Sequence, residues 1–121
     1  MNERKPDLTL EDLMEKLEID ATGVMNRFSN NGELYQRFLF KLPQDNSFPE
    51  AAKAKADGDW KRMETAVHTL KGVSANLGLH RICNASTELL LAIRNEELGR
   101  IDPLYVALEA EYNRAMAYLA P

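Results

Sequence analysis

Apolar side chains that recur every three or four residues restrict the fold of this chain more than any other feature, because that spacing places them on one face of an α-helix. The pattern near the start of the chain is formed by Leu10, Leu13, Met14 and Leu17. Near its end the pattern is formed by Leu104, Leu108, Tyr112, Met116 and Leu119. The breaks between periodic segments are short and contain residues that start or stop helices. The chain therefore predicts several amphipathic helices joined by short connections.

Capping and breaking residues set the bounds of these helices. Thr9 and Asp12 resemble a capping box, and Asp20 is a second candidate N-cap. Gly78 is expected to end one helix in the left-handed conformation, and Gly99 to follow the next. The predicted helices are one from about Leu10, one after Asp20, Glu33 to Leu42, a helix begun by Ser47 through Glu50 to Ala56, Trp60 to Leu77, Leu79 to Leu98, and one begun by Asp102-Pro103.

This arrangement predicts an all-α fold, namely an antiparallel four-helix bundle with additional short N-terminal helices. Six glycines and five prolines among 121 residues are few, which favours long helices over a turn-rich β architecture. The length suits a single domain over residues 1–121, with an N-terminal helical extension at 1–19 and the bundle at 20–121. It leaves no room for a second catalytic or nucleotide-binding domain.

Charge and cysteine usage narrow the partners and the compartment. Fifteen Lys and Arg stand against 19 Asp and Glu, a net charge of −4, with no basic block of the kind that nucleic-acid binding requires. The first 13 residues mix both signs of charge and contain no apolar stretch for secretion or membrane insertion. Cys83 is the only cysteine, which agrees with a reducing compartment. We therefore expect a cytoplasmic protein that binds neither nucleic acid nor membrane.

The segment around His68 carries the chemistry. On a helix, His68, Lys71, Gly72 and Ala75 share one face. A neutral imidazole can attack a phosphoryl group, and a lysine one turn away can offset that group's charge of about −1.5 to −2. A glycine inside a helix costs about 1 kcal/mol relative to alanine, and here it clears a path to the ring. The opposite, core-facing side is formed by Val67, Leu70, Ser74 and Leu77.

The eleven residues from His68 to Gly78 read His-Thr-Leu-Lys-Gly-Val-Ser-Ala-Asn-Leu-Gly. This run resembles the signature of the histidine phosphotransfer (HPt) domain family, His-x-Leu-Lys-Gly-x-(Ser/Ala)-x-x-(Leu/Ile)-Gly, at every defined position. The wider resemblance covers about Asp20 to Glu97. It implies a four-helix bundle that shuttles a phosphoryl group between the aspartates of response-regulator receiver domains.

The resemblance also implies roles for individual residues. His68 is the expected phosphoacceptor, Lys71 its electrostatic support and Gly72 the gap that admits a receiver. Arg94 falls where many family members have a basic residue that faces the site. One departure concerns Leu90, because the family usually has a glutamate or glutamine there that orients the imidazole. Asn84, Glu88, a water or packing alone remain the alternatives for that role.

Partners and cofactors follow from the same resemblance. We expect receiver domains and a hybrid sensor histidine kinase as partners, and a monomeric phosphocarrier without kinase or hydrolase activity of its own. No cofactor is expected in this chain, since the Mg²⁺ belongs to the receiver. The alternative is an interaction module of the same fold that binds a receiver or kinase without accepting phosphate. The residues expected to contact the partner are Ala75, Leu79, Val24, Met25 and Phe28.

Two other interpretations of the sequence, a metal site and a serine nucleophile, have less support. His80 and Cys83 are three residues apart, but a zinc site needs three or four protein ligands. Ser74 has no second base to activate it as a nucleophile, so we expect it to fill a helix contact.

Overall fold

A computed structural model of the protein describes residues 8–121, which form seven α-helices and one 3₁₀ turn, so the predicted all-α fold is confirmed. Residues 1–7, the first part of the predicted extension 1–19, lie outside the described residues. A 3₁₀ turn occupies Leu42–Gln44, between the third and fourth helices. The helices are α1 (Leu10–Lys16), α2 (Ala21–Arg27), α3 (Gly32–Leu39), α4 (Ser47–Ala56), α5 (Trp60–Leu77), α6 (His80–Arg94) and α7 (Leu98–Leu119).

The four long helices α4 to α7 form the predicted bundle, with α4 packed on α5, α5 on α6 and α6 on α7. Their connections are two or three residues long, so consecutive helices are antiparallel neighbours. Contacts between α4 and α7 close the bundle. The ring of Phe48 stacks on that of Tyr112 with centroids 4.3 Å apart, and Lys55 Nζ lies 2.9 Å from an oxygen of Asp102. The helices α1, α2 and α3 are the expected short N-terminal ones.

Helix α5 lies at the centre of this arrangement, since α2, α3, α4 and α6 all contact it. Its buried face is formed by Met63, Ala66, Val67, Leu70, Ser74 and Leu77. These positions recur at helical spacing, and they include the whole predicted core-facing set.

The N-terminal end of α5 is fixed by a cap and by an ion-pair network. The Asp59 side chain accepts a hydrogen bond from the Arg62 backbone N–H at 3.1 Å. The Arg62 guanidinium pairs with Glu50 of α4 and, at 3.0 Å, with Asp57. Its hydrogen bond holds the pKa of the Glu50 carboxyl below the usual value. The predicted start of α5 after Asp59 is confirmed, and the network fastens that end to α4.

The C-terminal end of α5 is held by residues from α2 and α3. Arg27 Nε donates to the Asn76 carbonyl at 3.1 Å, and the Tyr35 hydroxyl donates to the Leu77 carbonyl at 2.7 Å. The last carbonyls of a helix have no partner within the helix, and a cation near them is favourable. Gly78 follows with φ +76°, the left-handed end that the sequence predicts.

The predicted boundary between the last two helices is wrong. Helix α6 ends at Arg94 rather than Leu98, and α7 begins at Leu98, so Gly99 and Pro103 lie inside α7. The chain reverses at Glu96, which adopts φ +55° without being a glycine. The earlier start of α7 buries Ile101, only 1% of which is exposed. Burial of that side chain overrides the start signal of Asp102-Pro103.

The third helix also ends earlier than predicted. It stops at Leu39 instead of Leu42, and Pro43 lies in the 3₁₀ turn that follows. Leu42 is buried in the core with 1% of its surface exposed, and a residue that precedes proline is disfavoured in the α-helical conformation.

Candidate functional site

His68 lies in the middle of α5 on its exposed face, opposite the buried residues of that helix. Within residues 8–121 no side-chain hydrogen bond engages its imidazole. Thr65 and Thr69, on the same part of the helix, instead bond to backbone carbonyls one turn earlier. The ring is therefore open to an approaching molecule.

Gly72 leaves open space one turn beyond His68. A Cβ built at Gly72 meets no atom within 4 Å apart from the nearby backbone of its own helix. The absence of a side chain there is not needed for helix packing. Ala75 continues the exposed strip, and Lys71 is half-buried at its edge. The residue types predicted for this face therefore leave a shallow, unobstructed surface around the imidazole.

An ion pair lies beside His68, where α5 and α6 meet. Arg94 Nε donates to Glu64 Oε2 at 2.8 Å. Glu64 precedes His68 by four residues, which places both on one helix face. The hydrogen bond from Arg94 holds the pKa of the Glu64 carboxyl below its usual value, and the charges of Lys61, Arg94 and His68 act in the same direction. Arg94 is thus bound to a carboxylate that lies one turn before His68.

Sequence reasoning missed Glu64. Its signal is the spacing of four residues before His68, which places the two side chains on one helix face.

The position at which the family has a polar group is part of the core. Leu90 is 2% exposed, and Asn84 and Glu88 lie on the exposed side of α6. Neither of the two polar residues makes a hydrogen bond to His68 in the described part of the chain. Within residues 8–121 the imidazole therefore has no hydrogen-bonded neighbour on α6.

Three residues expected to contact a partner are buried instead, namely Val24 (0% exposed), Leu79 (3%) and Phe28 (9%). Val24 packs so closely on Gly78 that a Cβ there would lie 2.6 Å from Val24 Cγ1. The Phe28 ring lies edge-on to that of Tyr35, with centroids 5.2 Å apart. The apolar stripe of α2 therefore belongs to the core, and of the five residues Met25 is half-buried and Ala75 exposed.

A groove between α3 and α5, which the sequence did not indicate, flanks the same face of α5. Its lining includes Phe38, Lys41, Val73 and Asn76. The Phe38 side chain is 44% exposed, a large fraction for an aromatic ring. The groove offers apolar surface one to two turns from His68 along the helix.

Residues 8–121 contain no group of three or more His, Cys, Asp or Glu side chains placed to hold a metal ion. His80 is exposed at the start of α6 and Cys83 is half-buried in its first turn. The helices of the described residues are too short or too polar to cross a membrane.

In a comparison with protein families, residues 33–118 match the model of the family described as the Hpt domain. The matched range runs from α3 almost to the end of α7 and so covers nearly all of the bundle, whereas α1 and α2 lie outside it. Comparison with curated proteins and comparison with solved structures each gave no match.

Proposed function

The chain belongs to the Hpt domain family, whose members act in histidine phosphotransfer within phosphorelays, and on that premise we propose that it carries a phosphoryl group on His68 between receiver domains. The observation that supports this proposal most strongly is the exposed His68, with open space at Gly72 one turn beyond it. Such a surface suits another protein's active site better than it suits a small molecule, which a concave pocket would bind.

The proposed reaction is an in-line transfer. The unprotonated nitrogen of His68 attacks the phosphorus of a receiver's aspartyl phosphate, so that an N–P bond forms while the bond from phosphorus to the aspartate oxygen breaks. The electron pair of the broken bond remains on the aspartate as carboxylate. The reverse steps pass the group to a second receiver. The Mg²⁺ that neutralises charge in this transfer belongs to the receiver.

Lys71 is proposed to support the phosphoryl charge from one turn away. Its ammonium is a compact point charge with three donors. The exposed strip of Gly72 and Ala75, with the groove beside Phe38, is proposed as the surface on which the receiver docks. A hybrid sensor kinase is the proposed source of the phosphoryl group, and the protein is proposed to act as a monomer in the cytoplasm.

Burial of Leu90 favours one alternative, a module of this fold that binds a receiver or kinase without accepting phosphate. A polar residue there would orient the imidazole, and its absence is a departure from the usual family pattern that bears on this choice. The two functions differ in whether a phosphoryl group is transferred from a receiver to this protein.

The test is transfer from a receiver domain loaded with radiolabelled phosphate. Wild type, His68→Gln and His80→Gln are compared, the last being a matched control at the other histidine, which is exposed at the start of α6. We expect alkali-stable label on wild type and His80→Gln and none on His68→Gln. Label on none of the three while wild type still binds the receiver would favour the interaction module, and equal label on His68→Gln would exclude His68 as the acceptor.

A variant at Lys71 tests the electrostatic role. Lys71→Ala is expected to slow transfer while the helical circular dichroism is unchanged, with Lys53→Ala, exposed on α4, as the control. Equal rates for the two variants would remove Lys71 from the mechanism.

A further inference from the structure

Glu64 is an acidic side chain where the proposed chemistry would favour a basic one. It lies one turn before His68 on the same helix face, and the charge of His68 acts on the pKa of its carboxyl. A phosphoryl group on His68 would bring about −1.5 to −2 charges towards that carboxylate. Like charges at such a distance repel, so Glu64 must oppose phosphorylation unless a cation intervenes.

Arg94 is the cation in a position to intervene. Its Nε makes the 2.8 Å bond to Glu64, and the two side chains are 45% and 25% exposed. An ion pair that is accessible to water contributes little to stability, because the high dielectric of water weakens the attraction between the two charges. A phosphoryl group carries more charge than a carboxylate and accepts strong, charge-assisted bonds from a guanidinium. It would therefore compete with Glu64 for Arg94.

We propose that Glu64 and Arg94 form a charge switch, in which Arg94 pairs with Glu64 while His68 is free and with the phosphoryl group when His68 is phosphorylated. Glu64 then stands as an opposing charge that lowers the stability of the phosphorylated histidine. This inference rests on the proposed function and concerns the regulation of the same site. Its consequence is a phosphoryl group that is held by Arg94 yet remains easy to pass on.

The relative stability of the phosphorylated state can be measured by partition of label. Tagged wild type and an untagged variant are mixed with one receiver domain carrying a limited amount of radiolabelled phosphate and Mg²⁺, until exchange through the receiver is complete. At equilibrium the receiver's own affinity for the phosphoryl group cancels. At equal concentrations of the two proteins, the ratio of label then depends only on the relative stability of their phosphorylated states.

Glu64→Gln is expected to take about fivefold more label than wild type, and Arg94→Gln about fivefold less, with both differences shrinking as salt is raised. The matched control is Glu111→Gln. Glu111 is also 25% exposed and pairs with an α6 arginine, Arg81, at 2.9 Å, but that arginine is about 20 Å from Arg94 along α6. The control makes the same change in net charge and is expected to partition equally with wild type.

Outcomes separate this inference from the function on which it rests. Absence of label on wild type contradicts the proposed function itself. Label on wild type with equal partition for Glu64→Gln and Glu111→Gln refutes the switch alone. Less label on Glu64→Gln than on wild type also refutes it, because Glu64 would then aid the phosphorylated state.

Movement of Arg94 can be followed separately by NMR. If its ion pair with Glu64 were merely structural, phosphorylation of His68 would leave the Arg94 side-chain signal unchanged. In ¹⁵N spectra of arginine side chains of the His80→Gln variant, which leaves His68 as the phosphorylatable histidine, the Nε–H signal of Arg94 is expected to shift on treatment with phosphoramidate, while that of Arg81 stays in place. An unchanged Arg94 signal in fully phosphorylated protein would overturn the exchange of partners.

Discussion

Replacement of Gly72 by alanine should make the protein more stable and less active. The new methyl group would meet no atom within 4 Å beyond the adjacent backbone of α5, so no steric penalty offsets the gain in helix propensity. That gain is about 0.5–1 kcal/mol in a helix interior. For a chain of 121 residues, 1 kcal/mol corresponds to a rise in Tm of roughly 3–6 °C. The same methyl lies one turn from the His68 imidazole, on the surface that a receiver is proposed to approach.

Thermal unfolding followed by circular dichroism gives the stability, and label transfer from a receiver gives the activity. The matched control is Gly99→Ala, at a helical glycine of α7 where a Cβ also meets nothing within 4 Å. Gly72→Ala should melt at a higher temperature than wild type, Gly99→Ala in the first turn of α7 should gain less, and only Gly72→Ala should transfer slowly. A lower Tm for Gly72→Ala would refute the packing argument, and an unchanged transfer rate would refute the access argument.

Three further predictions concern the fold. Gly78→Ala should lower the free energy of unfolding by about 2–3 kcal/mol, because φ is +76° and the new Cβ would lie 2.6 Å from Val24 Cγ1. The control is Gly58→Ala, where φ is +67° but the space is open, and it should lower the free energy of unfolding by only about 1 kcal/mol. Both values are measured by denaturant titration. Tyr35→Phe should cost about 1 kcal/mol for its buried hydrogen bond. Burial raises the pKa of Tyr35, so wild type should lose stability as the pH rises above about 10, where the unfolded tyrosine ionises, and the variant should lose less. Ser86→Ala should leave stability unchanged or raise it by up to about 1 kcal/mol, since the buried Oγ has no partner among the described residues, and a clear loss would show that it has one.

Helix bounds were predictable where a local signal and the core agreed. Asp59 and Gly78 mark the two ends of α5 in the sequence, and in the structure the helix runs between them, from Trp60 to Leu77. Between α6 and α7 the signals and the core disagree. The chain reverses at Glu96, a residue with no turn signal, because burial of Ile101 needs an earlier start of α7. Tertiary burial of that kind cannot be read from local sequence.

The site was predictable along one helix and less so between helices. The shared face of His68, Lys71 and Gly72 follows from helical spacing alone, and the structure places all three there. The prediction that Val24 lies on a docking surface was wrong, because an apolar stripe has the same sequence pattern whether it faces the core or a partner. The pairing of Glu64 with Arg94 depends on the register of α5 against α6, which no periodicity defines.

The anchoring of α5 at both of its ends bears on the speed of any encounter. Contacts with Glu50 and Asp57 hold one end, and Arg27 and Tyr35 hold the other, so fraying cannot begin from either end without breaking bonds to other elements. Backbone amides in the central turns should therefore exchange with solvent only through global unfolding. A partner that docks there meets a surface already in its final shape and loses little conformational entropy in ordering it. The docking surface of α5 is therefore preorganised and does not need to change its conformation when a partner binds.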